Sequence, residues 1–256
     1  MSWERNIVIK SPQEIDALRE AGRINARALD AVRELIHPGV TTAELNAAAE
    51  EVIRKHGASP TFKGYPGPYP YPASICVSIN EQLVHGIPGK RKLQSGDVVS
   101  VDCGSTFEGF VGDSAFTIGV GETSSQAQRL IKVTEQALYE GIRQMREGNR
   151  VGDISAAIQT FVESAGFHVT REYTGHGVGR QMHEGPQVPN YGTAGRGQNL
   201  RQGMTIALEP MVLVGTSQTR VLPDGWTVVS ADGSLTAHWE HSVAITDGEP
   251  LILTLT

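Results

Sequence analysis

One pattern in this chain occurs twice. Gly39 and Gly57 stand 18 positions apart and enclose Leu45, Ala47, Ala48, Val52 and Ile53, an apolar set with helical spacing. Gly148 and Gly166 are again 18 apart and enclose Ile154, Ala156, Ala157, Phe161 and Val162. The offset of 109 residues carries the preceding segment along, setting Ile24 on Val133, Leu29 on Leu138 and Ile36 on Met145. Each half therefore opens with two consecutive helices. The first helix starts at Ser11-Pro12-Gln13-Glu14, a capping box with proline in the first turn, and ends before Pro38-Gly39. The second half starts near Ser124-Ser125. Strand-like segments follow each pair: Ser74–Ile79, Asp97–Asp102 and Phe110–Ile118, then His168–Thr174, Thr205–Val214, Trp226–Ser230 and Ala237–Ile245. Helices grouped apart from antiparallel strands predict an α+β fold of two pseudo-symmetric halves, not a wound parallel sheet. The halves meet near residue 120, but the chemistry-bearing residues come from both, so one domain over 1–256 is expected.

Those residues are Asp102, Asp113, His176, Glu209 and Glu240. Asp102 ends the apolar run Val98-Val99-Ser100-Val101, and Asp113 lies within Phe110–Phe116, with Gly104 and Gly109 between them. A β-hairpin turning between Phe107 and Glu108 would set the two aspartates directly opposite, with Cβ atoms about 4.5–5.5 Å apart. Paired carboxylates repel and raise a pKa unless a cation lies between them. Glycines flank His176 in Gly175-His176-Gly177-Val178-Gly179, letting backbone approach closely. Glu209 and Glu240 each emerge from an apolar, strand-like segment. Four carboxylates balance two divalent charges, so such a site is neutral when loaded.

Composition agrees. A chain of 256 residues, 39% hydrophobic, can bury one substantial core. A net charge of −6 argues against a nucleic-acid surface. There is no run of 18 apolar residues, and Met1-Ser2-Trp3-Glu4-Arg5-Asn6 lacks the regions of a signal peptide. A cytoplasmic protein with no membrane partner is expected. Two cysteines, Cys76 and Cys103, are too few for a disulfide framework and read as reduced thiols.

Taken in order, several stretches resemble the type I methionine aminopeptidases over nearly the whole length. They are Cys76–Glu81 leading to His85-Gly86-Ile87-Pro88, the Asp102/Asp113 hairpin, Gly175–Glu184, Gly203-Met204-Thr205 leading to Glu209-Pro210, and Glu240-His241. The resemblance implies the pita-bread fold around a central dinuclear site and the removal of initiator methionine by a metal-activated water. It implies Asp113 and Glu240 as bridging ligands, with Asp102 completing one metal and His176 with Glu209 the other. Glu209 would also handle the proton of the attacking water, His183 would donate to the oxyanion, and His85 would contact the leaving amide. Tyr71, Cys76, Met182 and Trp226 would surround the methionine side chain; Met182 stands where relatives commonly carry an aromatic residue. Two divalent ions are implied, with cobalt, manganese, iron and zinc all admitted by oxygen-rich ligation with one imidazole. Substrates would be N-terminal methionyl peptides and nascent polypeptides, preferring a small second residue. A monomer is expected, and a ribosome-proximal working place stays open.

Two rivals remain at this point. A prolidase or proline-specific aminopeptidase shares the five ligands but carries a large extra N-terminal domain, whereas 101 residues precede Asp102 here. A non-enzymatic module that kept the fold would be expected to lose a ligand. His37, His56, His168, His238 and His241 have no ligand spacing and read as ordinary surface or core histidines. The proline-rich segment Gly64–Pro72 has a linker's composition, but its place before Cys76 favours a loop over the cleft. Gly175-x-Gly177-x-Gly179 lacks the strand-turn-helix setting of a phosphate loop.

Overall fold

The computed structural model describes residues 7–256, and the signal-peptide reading of Met1 to Asn6 lies outside the described residues. Helix α1 (Pro12–Leu35) begins where its capping box places it. The Glu14 amide donates to the Ser11 hydroxyl at 3.3 Å and the Ser11 amide to the Glu14 carboxylate at 3.0 Å. Thr41 and Glu44 repeat the device at α2 (Thr42–Lys55). In the second half come α3 (Ser125–Arg143), capped by Ser124, and α4 (Val151–Ser164). The repeated glycines mark where α2 and α4 are bounded. Gly39 and Gly148 have φ of 100° and 91°, Gly57 and Gly166 of 75° and 77°, conformations that a side chain disfavours.

The first half contributes strands β1 (Ser59–Pro60), β2 (Ile75–Ile79), β3 (Gln82–Val84), β4 (Val98–Phe107) and β5 (Phe110–Gly119). The second contributes β6 (His168–Val169), β7 (Thr174–Gly177), β8 (Glu184–Pro189), β9 (Thr205–Leu208) and β10 (Met211–Leu213). It continues with β11 (Thr219–Val221), β12 (Val228–Ser230), β13 (Thr236–His238), β14 (Glu240–Ala244) and β15 (Leu251–Ile252). A nine-stranded sheet runs β1-β4-β5-β14-β9-β7-β8, with β2 also on β4 and β15 also on β14. Its ladders are antiparallel, and the β5–β14 ladder joins the two halves. Two three-stranded sheets, β13-β10-β6 and β11-β12-β3, complete the fold.

Three long strands expected in the second half are each broken. Thr205–Val214 divides at Glu209-Pro210, Ala237–Ile245 at Trp239, and His168–Thr174 after Val169. On one side of the breaks β14, β9 and β7 lie side by side in the large sheet; on the other, β13, β10 and β6 form their own. Neighbouring strands thus leave one sheet for the other at a common level. Pro210 has no amide to give the ladder there.

Helix α1 backs the first-half hairpin. A Cβ on Gly112 would lie 2.7 Å from the Ala21 carbonyl oxygen, so only glycine permits this approach. Fully buried Asn25 donates to the Cys103 and Gly112 carbonyls and accepts from the Ser114 hydroxyl, pinning both hairpin strands from behind. The main core draws on both halves, joining Leu45, Ile53 and Val99 with Leu138, Ile154, Ile206 and Val243. Both cysteines are buried and free.

Candidate metal centre

The site begins with a turn. Glu108 and Gly109, at φ of 49° and 78°, close the β4–β5 hairpin and pair Phe107 with Phe110. Positive φ at both central positions suits the tight hairpin turn that follows strand twist. The turn lies one residue later than expected, so Asp102 faces Ala115 and Asp113 faces Gly104. The two aspartates are diagonal neighbours, not opposed ones. Both stay on the same face, because shifting the centre of a hairpin by one residue changes its pairing by two.

Carried across the sheet, this register gathers all five expected ligands into two rows. In the first, Ala115 has Asp102 on one side and Glu240 on the other. Glu209 comes level with Glu240, since the preceding Leu208 pairs with His241. In the second row Gly104 faces Asp113, the Asp113 amide donates to Ser242 Oγ at 3.1 Å, and Ser242 pairs with Ala207, which pairs with His176. Rows two residues apart lie about 6.8 Å from one another along a strand. The residues between the ligands are alanine, glycine or serine, which leaves space above the sheet. His241 follows Glu240 and projects from the opposite face, with Nδ1 2.8 Å from Thr254 Oγ1.

Ligand atoms of Asp113, His176 and Glu240 lie within 4.8 Å of one another. His176 Nε2 is 3.7 Å from Asp113 Oδ2 and 3.6 Å from Glu209 Oε1. Its Nδ1 stands 2.9 Å from the Gly177 carbonyl, which can only accept, so the proton is on Nδ1. Burial holds the ring neutral by pushing its pKa down to about 3, with His183 nearby adding to the effect. The lone pair of Nε2 is therefore directed among carboxylates. Asp102 Oδ1, Asp113 Oδ1 and Glu240 Oε1 are buried with no hydrogen-bond partner.

Desolvation, and for Asp102, Asp113 and Glu240 the neighbouring carboxylates, raise the pKa of all four acids well above the ordinary range. Without a cation the cluster would hold protons; an ion takes their place. Orphaned carboxylate oxygens around an imidazole lone pair fit a hard or borderline divalent metal.

A cavity opens beside this cluster. Tyr71, Cys76, Met182 and Trp226 line it, and His85 and His183 stand in the same wall. The Tyr71 and Trp226 rings meet edge to face at 5.1 Å, and His85 lies 6.3 Å from Trp226. Burial lowers the His85 pKa to about 4.

The model of metallopeptidase family M24 matches residues 16–247. A methionine aminopeptidase of Clostridium perfringens is 50% identical over 249 residues, covering 97% of this chain and 99% of its own. This chain belongs to the M24 metallopeptidases, among the methionine aminopeptidases. The crystal structure of a Thermotoga maritima methionine aminopeptidase superposes with a TM-score of 0.95 at 47% identity, covering 98% of this chain and all of that one. The prolidase of Pyrococcus furiosus, 22% identical, shares the fold at a TM-score of 0.79, with 97% of this chain covering 66% of its length. The pita-bread architecture is common to both.

Three residues of this M24 site escaped the sequence reading. His238, read as an ordinary histidine, is buried with Nε2 3.5 Å from Glu209 Oε2 and 3.8 Å from Glu240 Oε2. In the strand expected over Ala237–Ile245, alternation already sets residues two apart on one face, so the His238–Glu240 spacing was the signal that was passed over. Phe62 and Tyr65 join the apolar wall. Their signal was the proline-rich segment Gly64–Pro72, which contains Tyr65 and follows Phe62, and which lies over the cavity as a loop.

Proposed function

We propose that the chain removes N-terminal methionine from peptides and nascent polypeptides, with the first side chain in the apolar cavity and the first peptide bond at the carboxylate cluster. The observation that carries this is their adjacency: one cavity is walled by Tyr71, Cys76, Met182 and Trp226 and floored by Asp102, Asp113, His176, Glu209 and Glu240. An apolar slot of this kind suits an unbranched, polarizable thioether. Two divalent ions are our reading of the charge balance. Asp113 and Glu240 would hold both, Asp102 one, and His176 with Glu209 the other. Manganese, iron, cobalt and zinc all suit this donor set. When bound, the ions supply an activated water and a Lewis acid for the scissile carbonyl.

The chain's own groups do the rest. Glu209 receives the proton of the attacking water, His183 donates a hydrogen bond to the tetrahedral oxyanion, and His85 contacts the amide on the leaving side. The free α-amine of the substrate is held at the carboxylate and metal end, limiting cleavage to one residue. A small second residue is favoured, and an N-formyl group blocks cleavage. We read the chain as a single cytoplasmic, monomeric domain, and its working distance from the ribosome stays open. Among the described residues no helix is long and apolar enough to cross a membrane. Fractionation, sedimentation and ribosome pelleting check those points.

The deciding experiment pairs metal analysis of protein purified without added ions with a competition between Met-Ala-Ser and Ala-Pro-Ser. Faster release of methionine is expected, lost on chelation and restored by a divalent ion. Faster release of alanine would favour a proline-specific activity, the alternative that the shared fold keeps in view.

A further inference from the structure

The proline-rich loop reaches His183. The Tyr65 hydroxyl lies 2.6 Å from His183 Nδ1, and the two rings meet edge to face with centroids 5.5 Å apart. Tyr65 is itself fixed: its amide donates to the Phe62 carbonyl at 2.9 Å, and its carbonyl accepts from the Tyr71 amide at 3.0 Å. The loop is packed closely over the cavity, for a Cβ on Gly67 would lie 2.3 Å from the Trp226 ring.

Resting on the reading of His183 as the oxyanion donor, we propose that Tyr65 is a positioning residue whose hydroxyl donates to His183 Nδ1 and keeps the imidazole proton on Nε2. A neutral imidazole has one N–H, so the nitrogen that accepts from Tyr65 leaves the other as the donor. The reverse bond, Nδ1–H to the phenol oxygen, would turn a lone pair toward the developing oxyanion and repel it. Burial keeps the Tyr65 phenol a neutral donor by raising its pKa. Tyr65 thus has two separable parts: a ring that lines the cavity and a hydroxyl that sets a tautomer.

Tyr65→Phe keeps the first part and removes the second. On Met-Ala-Ser it should lower kcat by about 3–10-fold, the worth of one hydrogen bond, with KM unchanged. In a His183→Ala background it should leave kcat where His183→Ala alone sets it, because the effect passes through the imidazole. Nitrogen-15 histidine NMR of the zinc-loaded enzyme should find His183 protonated at Nε2, and both tautomers populated in Tyr65→Phe. Equal falls in both backgrounds, or a His183 protonated at Nδ1 in the unaltered enzyme, would overturn the proposal. If His183→Ala is slow and Tyr65→Phe is not, the proposal falls while the oxyanion role stands. If His183→Ala is itself as fast as the unaltered enzyme, both fall.

Discussion

The two halves begin with the same helix pair and present their site residues differently. The first delivers Asp102 and Asp113 from the interior of an unbroken hairpin, two strands of 10 residues each. The second delivers Glu209 and Glu240 from the level at which its strands break, with His176 close by on β7. An intact sheet holds neighbouring side chains at fixed spacings on one face and cannot tilt them much toward each other. At the level of the breaks His238 stands against both glutamates, its Nε2 3.5 Å from Glu209 Oε2 and 3.8 Å from Glu240 Oε2. The hairpin is a shelf whose geometry is local; the broken half closes over it through contacts that are not.

The sharpest way to break that comparison is Asp113→Asn. The Asp113 amide and carbonyl both bond Ser242 Oγ and are untouched, so the shelf should persist while a charge at its centre is lost. Peptide hydrolysis should drop to background with reduced metal stoichiometry; an active variant would detach the hairpin from the chemistry. His183→Ala, on the second half, should lower kcat by about 10²–10³ with metal content intact. Metal loss in that variant would make His183 a ligand.

His238→Ala tests whether the broken half needs side-chain support. Partners that orient ligands typically account for about 10–100-fold in metal affinity, and a fall of that size should be measured by calorimetry. An unchanged affinity would mean that the backbone alone places Glu209 and Glu240.

Removal of metal should leave a pH signature. The four acids have folded pKa values above their unfolded ones, so the folded state holds extra protons and loses stability as pH rises through that window. His85 and His176, lowered to about 4 and about 3, act in the opposite sense, but only below the ordinary 6.5. Above the ordinary histidine value of 6.5 the carboxylates therefore govern, and the Tm of metal-free protein should decline as pH rises while that of loaded protein does not. A Tm that climbs over this interval without metal would contradict the cluster's protonation.

Gly109→Ala is the mildest test. A side chain at φ 78° costs about 1–2 kcal/mol, and a domain of this size loses about 2–4 °C of Tm for each. Metal affinity should hold, because α1 still pins the hairpin from behind. A large loss of metal would show that the turn alone sets the shelf.

Much of this was legible beforehand because it is local or periodic. The capping box at Ser11 starts its helix wherever the chain goes, and the paired glycines bound α2 and α4 for steric reasons that need no neighbours. Alternation within a strand puts Asp102 and Asp113 on one face even though the turn was placed a residue early. The five candidate ligands, which the fold gathers into two rows, could likewise be picked out by residue type and order. Tertiary structure alone decided the diagonal register of the aspartates, the common break level at Glu209-Pro210 and Trp239, and the arrival of Phe62 and Tyr65 at the cavity. Those depend on which strands pair across more than a hundred residues and on where a sheet yields, and no property of a short segment encodes either.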